Sequence, residues 1–177
     1  GARQVYGAVL PQIRLDFAAR GVSGSQLGLV SSAFTLVFGL SLVVAGFAAD
    51  FLGRKRVLVA GTLLYAVGVI GGGCATGLAS LVAFYGVVNA LGQCCIAPAS
   101  YSLISQYHTT ETRATAMGVF QSANYLGVCL ASVAAGALAG LGPGRWRWAF
   151  WAVGGLCVLW ALVMQLLMRD TPQPVAD

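Results

Sequence analysis

Long stretches without a charged residue constrain this chain more than any other feature of its sequence. Residues 21–49, 57–110, 114–144 and 148–168 contain no Asp, Glu, Lys or Arg. A helix that crosses a bilayer needs about 20 mostly apolar residues. The second stretch is long enough for two crossings, with the small-residue segment 76–80 as the turn between them. The pattern therefore predicts five complete membrane-spanning helices.

The predicted helices cover about residues 25–49, 57–75, 81–107, 114–141 and 148–169. Residues 1–13 are apolar apart from Arg3, Gln4 and Gln12, and they predict the last part of one further helix. Backbone polar groups cannot remain unpaired in lipid, so helices are the expected form of each span. The expected fold class is an all-α membrane protein with six helices, of which the first is incomplete.

The composition supports a multi-pass membrane protein, which we expect in a plasma or inner membrane. Hydrophobic residues make up 58% of the chain and charged residues 8%, which is far too little charge for a soluble domain. The net charge of +5 does not indicate nucleic-acid binding, because the basic residues stand in small groups between apolar tracts. The five cysteines form no CxxC pair, so we expect neither a metal site nor a disulfide framework. No cofactor is expected.

Signatures of enzymes are missing from the sequence. It contains no GxSxG, no HExxH, no P-loop and no paired carboxylates, and its only histidine is His108. Packing signals are present instead. Glycines at GxxxG spacing predict close helix contacts, and three tryptophans at the start of the last predicted helix predict membrane-interface anchors. These residues are Gly68/Gly72, Gly73/Gly77, Gly136/Gly140, and Trp146, Trp148 and Trp151.

The most distinctive segment connects the second and third predicted helices. It runs from Gly46 through Asp50 and Gly53 to the basic residues Arg54, Lys55 and Arg56. Gly46 permits close helix contact and Gly53 a tight reversal, while basic residues near a helix C-terminus interact favourably with its dipole. A charged anchor at the level of the lipid headgroups is the simplest interpretation of such a segment.

This segment resembles the signature of the major facilitator superfamily, G-x-L-A-D-x-x-G-R-[KR]-x-x-[LIV], with Ala48 in place of the leucine. Other parts of the chain are similar to the same family at corresponding places. The resemblance covers nearly the whole chain and implies the amino-terminal six-helix half of a twelve-helix carrier. Its expected partners are the missing carboxyl-terminal half, the lipid bilayer and a small solute, and the complete protein is expected to be a monomer. The similar segments are 10–13 with 23–28, 112–118 and 144–150.

The resemblance implies transport by alternating access, in which two helical halves open a central cavity to one side at a time. It further implies that a group of latch residues closes the cytoplasmic side against a helix of the missing half. Two family patterns are missing: an arginine near Gly86 in the fourth helix and a Gly-Pro pattern in the fifth. Export of drugs is therefore less expected. The latch residues are Gly46, Asp50, Gly53, Arg54 and Arg56.

Arg3 is the only charged residue inside a predicted membrane segment. At 1.5 Å per residue it lies about 15 Å before the predicted helix end at Ile13, near the middle of the membrane. A guanidinium in that position suits a carboxylate or phosphate ligand, and the resemblance extends to organic-anion carriers. A structural partner on a helix carbonyl or on an acid of the missing half is the alternative.

Polar residues form two stripes with the same spacing. The fourth predicted helix carries Asn89, Gln93 and Ser100, and the fifth carries Gln121, Tyr125 and Ser132, each at offsets of 4 and 11, which fall on one helical face. With Asn124 and the weaker candidate Tyr6, they predict a hydrated cavity. Hydrogen bonding between helices is the alternative explanation.

These features together predict a secondary active transporter of a small solute, expected to be an organic anion and coupled to an ion gradient. Arg3 would bind the anionic group, and the polar residues of the two stripes would orient the rest of the solute. A membrane scaffold or sensor that keeps the helical fold but moves no solute is the second hypothesis.

Overall fold

The computed structural model describes residues 2–18, 21–142 and 144–168, leaving out the side chains of residues 2, 3, 49 and 50. Its described residues form helices and no strand, so the predicted all-α class is confirmed. Every helix after the first is long and apolar enough to cross a membrane. The helices are α1 (Ala2–Ala18), α2 (Gly24–Leu52), α3 (Arg54–Cys74), α4 (Leu78–Tyr107), α5 (Thr110–Gly140) and α6 (Trp146–Leu167).

Several helices extend beyond their predicted ends. The first was expected to end at Ile13, but it continues through Arg14 and Asp16 to Ala18. The third begins at Arg54 rather than at residue 57. Apolar length marks only the part of a helix that fits the hydrocarbon core, and charged side chains such as Arg continue a helix readily outside that layer.

Helix α4 is not uniform. It begins with one α-helical turn, Leu78–Leu81, continues as a π-helix over Val82–Val88, and returns to α-helix at Asn89. At the second junction the backbone N–H of Asn89 donates to the carbonyl of Phe84, five residues earlier. The sequence predicts one regular helix over 81–107, and nothing in its apolar pattern indicates the wider turn.

Glycines bring α3 and α4 into backbone contact. A Cβ on Gly92 would overlap the backbone nitrogen of Tyr65 and lie 2.7 Å from the carbonyl oxygen of Gly61. A Cβ on Gly68 would overlap the backbone of Asn89. Such close approach is typical of membrane helices, where van der Waals packing replaces the hydrophobic driving force.

The GxxxG prediction is correct for the three predicted glycines of α3, but it is wrong for Gly77 and for the glycines of α5. Gly68, Gly72 and Gly73 all lie against a neighbouring helix. In contrast, Gly136 and Gly140 have no described atom within 4 Å of an added Cβ. Spacing alone cannot show which face of a helix meets a partner.

The two ends of the bundle are packed differently. At the end that contains Trp146, which we call the Trp146 end, buried residues from all six helices join in one core, including Phe17, Leu27, Val69, Leu81, Ala139 and Phe150. At the opposite end, called the Gly53 end, the buried cluster contains Leu58, Ala99, Leu103 and Met164, from α3, α4 and α6 alone.

Trp146 was predicted to be an interface anchor, and that prediction is wrong. Its side chain is fully buried, and its indole Nε1–H donates to Oδ2 of Asp16 over 2.8 Å, which joins the start of α6 to the end of α1. The guanidinium of Arg147 lies 5.0 Å from the Trp146 ring centroid and donates to the carbonyl of Gly73 over 3.2 Å. Trp148 and Trp151 are exposed, as expected of anchors.

We expect Trp146→Phe to lower the free energy of unfolding by about 1.5–3 kcal/mol, the usual contribution of a hydrogen bond to a charged group. The phenyl ring keeps most of the contact with Phe17 and Phe150 but cannot donate to Asp16. Thermal unfolding in detergent measures the change, with the exposed Trp148→Phe as control. Equal melting temperatures for the two variants would contradict this role of Trp146.

Candidate solute-binding cleft

One face of α5 is buried at the Trp146 end and open at the Gly53 end. Asn124 and Ala135 are eleven residues apart and therefore share a face. Ala135 is 2% exposed and belongs to the main core, whereas Asn124 is exposed. Tyr125, beside Asn124, is 65% exposed. Helix α5 is therefore packed into the bundle at the Trp146 end and largely uncovered toward the Gly53 end. We take the uncovered face that carries Gln121, Asn124 and Tyr125 as the candidate wall of a solute-binding cleft.

A hydrogen bond between side chains joins α4 to α5 beside this face. The Tyr101 hydroxyl donates to Oε1 of Gln121 over 3.1 Å, and the Tyr101 ring meets the edge of Phe120 at 5.7 Å between centroids. Closer to the connecting loop, Arg113 Nη2 donates to the carbonyl of Ser105 over 3.2 Å. Tyr101 was not predicted, because it lies about 120° around the helix from Asn89.

The polar stripe of α4 does not line the same cleft. Asn89 is 0% exposed and Ser100 is buried. Neither the amide nitrogen nor the amide oxygen of Asn89 has a hydrogen-bond partner, and Oε1 of Gln93 is likewise buried without one. The Asn89 side chain begins beside Gly68 of α3. Equal spacing led us to expect that both stripes line one cavity. The described residues do not show this, because Asn89 and Ser100 of the α4 stripe are buried.

Tyr6 joins three helices rather than facing open space. Its ring stacks on Tyr85 of α4 with 4.9 Å between centroids, and its hydroxyl donates to the carbonyl of Leu27 in α2 over 3.2 Å. The side chain is 3% exposed. Tyr6 therefore packs α1 against α4 and bonds it to α2.

The side chain of Arg3 lies outside the described residues, but its backbone position in α1 is defined. Arg3 stands about 22 Å before the end of α1, because that helix ends at Ala18 rather than Ile13. It precedes Tyr6 by three residues, about 4.5 Å, while Asn89 follows Tyr85 by about 6 Å. Since α1 and α4 cross in opposite directions and Tyr6 stacks on Tyr85, the backbones of Arg3 and Asn89 lie at a similar depth.

The latch residues surround a connection of one residue. Gly53 alone separates α2 from α3, with φ 90° and ψ 131°, a backbone conformation that favours glycine. Arg54 is half-buried and Arg56 is exposed, both in the first turn of α3. The side chain of Asp50 lies outside the described residues. Asp50 was expected to end α2, but the helix continues to Leu52.

Gly46 was expected to permit a close helix contact. No described atom lies within 4 Å of a Cβ built on it, so this contact is not found in the described part of the chain. The face of α2 around Gly46 is open, as is most of the last half of that helix.

Comparison with known protein families shows which family this chain belongs to. The sequence matches the family described as Major Facilitator Superfamily over residues 1–177. The chain belongs to the Major Facilitator Superfamily. The resemblance seen in the Gly46–Leu58 segment is thereby confirmed, as is an integral, multi-pass membrane protein.

Two superfamily relatives differ in the solutes that their names mention. A puromycin resistance protein of Streptomyces alboniger is 31% identical over 170 residues, covering 94% of this chain and 32% of the relative. A probable sulfoacetate transporter of Cupriavidus necator is 29% identical over 158 residues, covering 86% of this chain and 35% of the relative. The chain thus spans about a third of the length of these curated relatives.

The fold agrees with that of a solved transporter structure. A bacterial homologue of the human lysosomal transporter Spinster, in an inward-facing and occupied conformation, superposes with a TM-score of 0.80 at 23% identity. The match covers 96% of this chain and 41% of that structure. The six helices therefore correspond to one half of a major facilitator fold.

Proposed function

We propose that the complete protein is a secondary transporter that moves a small organic anion across a plasma or inner membrane by alternating access. The observation that carries this proposal is the uneven burial of one face of α5. At the Trp146 end this face is closed by Ala135 and Ala139, and at the Gly53 end it carries the half-buried Gln121 and the exposed Asn124 and Tyr125. A polar wall reachable from one end only is what one state of an alternating-access carrier requires.

The charge of the solute is inferred from Arg3. An arginine inside a membrane helix is costly unless it meets an anion or another polar partner, and its fork of donors suits a carboxylate, sulfonate or phosphate. The relative named as a probable sulfoacetate transporter supports an anionic solute. The buried amide of Asn89 lies at a similar depth and has no partner, so it could complete the binding site when the helices move. Gln93 is the neighbouring amide one turn further along α4.

The latch residues would control which end of the cavity is open. In this proposal, Asp50 and the guanidinium groups of Arg54 and Arg56 contact a helix end of the carboxyl-terminal half when the Gly53 end closes. A charge beside a helix terminus contributes about 0.3–1 kcal/mol when exposed, enough to bias two states without trapping either. The complete protein would work as a monomer.

Uptake into proteoliposomes by the complete protein tests the function. We expect accumulation of labelled sulfoacetate that increases with an imposed proton gradient, and no accumulation of puromycin. Puromycin uptake without sulfoacetate uptake would contradict the anionic solute and favour drug transport. A reconstituted, folded protein that moves neither these compounds nor any other organic anion would favour a scaffold or sensor.

A further inference from the structure

We propose that Tyr101 is a positioning residue that sets the direction of the Gln121 amide, so that Gln121 presents its N–H donors to the solute. This inference rests on the proposed transport of an organic anion. It assigns to Tyr101 a role that neither the polar stripes nor the family pattern indicates. The geometry behind it is the 3.1 Å hydrogen bond between the Tyr101 hydroxyl and Oε1 of Gln121.

A glutamine side chain has two chemically opposite ends. Its carbonyl oxygen accepts hydrogen bonds, and its NH2 group donates two. When the Tyr101 hydroxyl occupies Oε1, the group left to meet a solute is the donor Nε2. Carboxylates and sulfonates only accept hydrogen bonds, so they are bound by Nε2 and repelled by a free Oε1. Tyr101 would thereby favour anions at this point of the cleft.

The Tyr101 hydroxyl is held in place by its surroundings. The ring packs edge-on against Phe120 at an interplanar angle of 77°, and both residues are half-buried. Below them, the Arg113 guanidinium donates to the carbonyl of Ser105 and keeps α4 and α5 together. These contacts fix the position of the phenolic oxygen, and from that position its O–H donates to Oε1 of Gln121.

Replacing Tyr101 by phenylalanine in the complete protein tests the inference. The ring contact with Phe120 stays, but the hydroxyl is lost and the Gln121 amide can turn over. We expect KM for sulfoacetate uptake to increase about two- to tenfold, the range that corresponds to one ordinary hydrogen bond, with the maximal rate within about twofold. Ser102→Ala, which removes the hydroxyl of the next residue along α4, is the control and should leave both values unchanged.

A double substitution separates positioning from direct binding or packing. If Tyr101 acts through Gln121, then Tyr101→Phe should add nothing once Gln121 is replaced by leucine, because no amide remains to be oriented. A full additional increase in KM in the Gln121→Leu protein would overturn the inference, as would an unchanged KM in Tyr101→Phe alone. If the unmodified protein and Ser102→Ala both fail to accumulate sulfoacetate or any other organic anion, the proposed function itself has failed.

Discussion

Arg3→Lys should reduce sulfoacetate uptake by the complete protein about ten- to hundredfold, while the amount of folded protein in the membrane stays within about twofold. Lysine keeps the positive charge but replaces a planar fork of donors with a single ammonium group, which cannot form two parallel hydrogen bonds to one carboxylate or sulfonate. Loss of a hydrogen bond between charged groups corresponds to about 1.5–3 kcal/mol, which gives the expected range.

Arg14→Lys is the matched control for this experiment. Arg14 belongs to the same helix but is exposed and lies near the Trp146 end, beside Gly24. We expect sulfoacetate uptake by the Arg14→Lys protein to equal uptake by the unmodified protein. Uptake can be measured in proteoliposomes and folded protein by size-exclusion chromatography in detergent. Equal uptake by Arg3→Lys and Arg14→Lys would remove Arg3 from the binding site and favour its structural interpretation.

Gly92→Ala should severely destabilise the protein. An added methyl group would overlap the backbone nitrogen of Tyr65 and approach the Gly61 carbonyl, so α3 and α4 must move apart along their whole contact. Neither clashing group is the end of a flexible side chain. Overpacking in a well-packed core typically costs 1–3 kcal/mol and occasionally more, and we expect about 3 kcal/mol or more here because backbone must shift.

Gly136→Ala provides the comparison, since a Cβ at Gly136 meets open space. Alanine favours a helix over glycine by about 1 kcal/mol, so this variant should be as stable as the unmodified protein or more stable. Unfolding in a denaturing detergent, followed by circular dichroism, gives both values. Similar destabilisation by the two substitutions would show that the α3–α4 glycine contact is not what makes position 92 sensitive.

The candidate site could be predicted from the sequence only in part. The stripes of α4 and α5 were recognised from spacing, and of the α5 residues, Asn124 and Tyr125 are exposed while Gln121 is half-buried. Spacing shows which residues share a face but not what the face meets. Asn89 was therefore assigned to the wall of a hydrated cavity, although it is fully buried beside α3. Tyr101 was missed because it lies outside the stripe that contains Asn89.

The sequence by itself determined the number of helices, the lipid environment and the superfamily. These follow from local properties: the length of charge-free stretches, which the thickness of a bilayer constrains, and the glycine and charges of one short turn. Only the tertiary structure decided where α5 is packed into the bundle and where it is uncovered, which polar groups remain unpartnered, and that Trp146 joins Asp16 rather than the lipid interface. Those features depend on contacts between residues as far apart as 16 and 146. Because lipid is as apolar as the interior of a helix bundle, the hydrophobic pattern of a membrane helix does not show which of its faces will meet another helix.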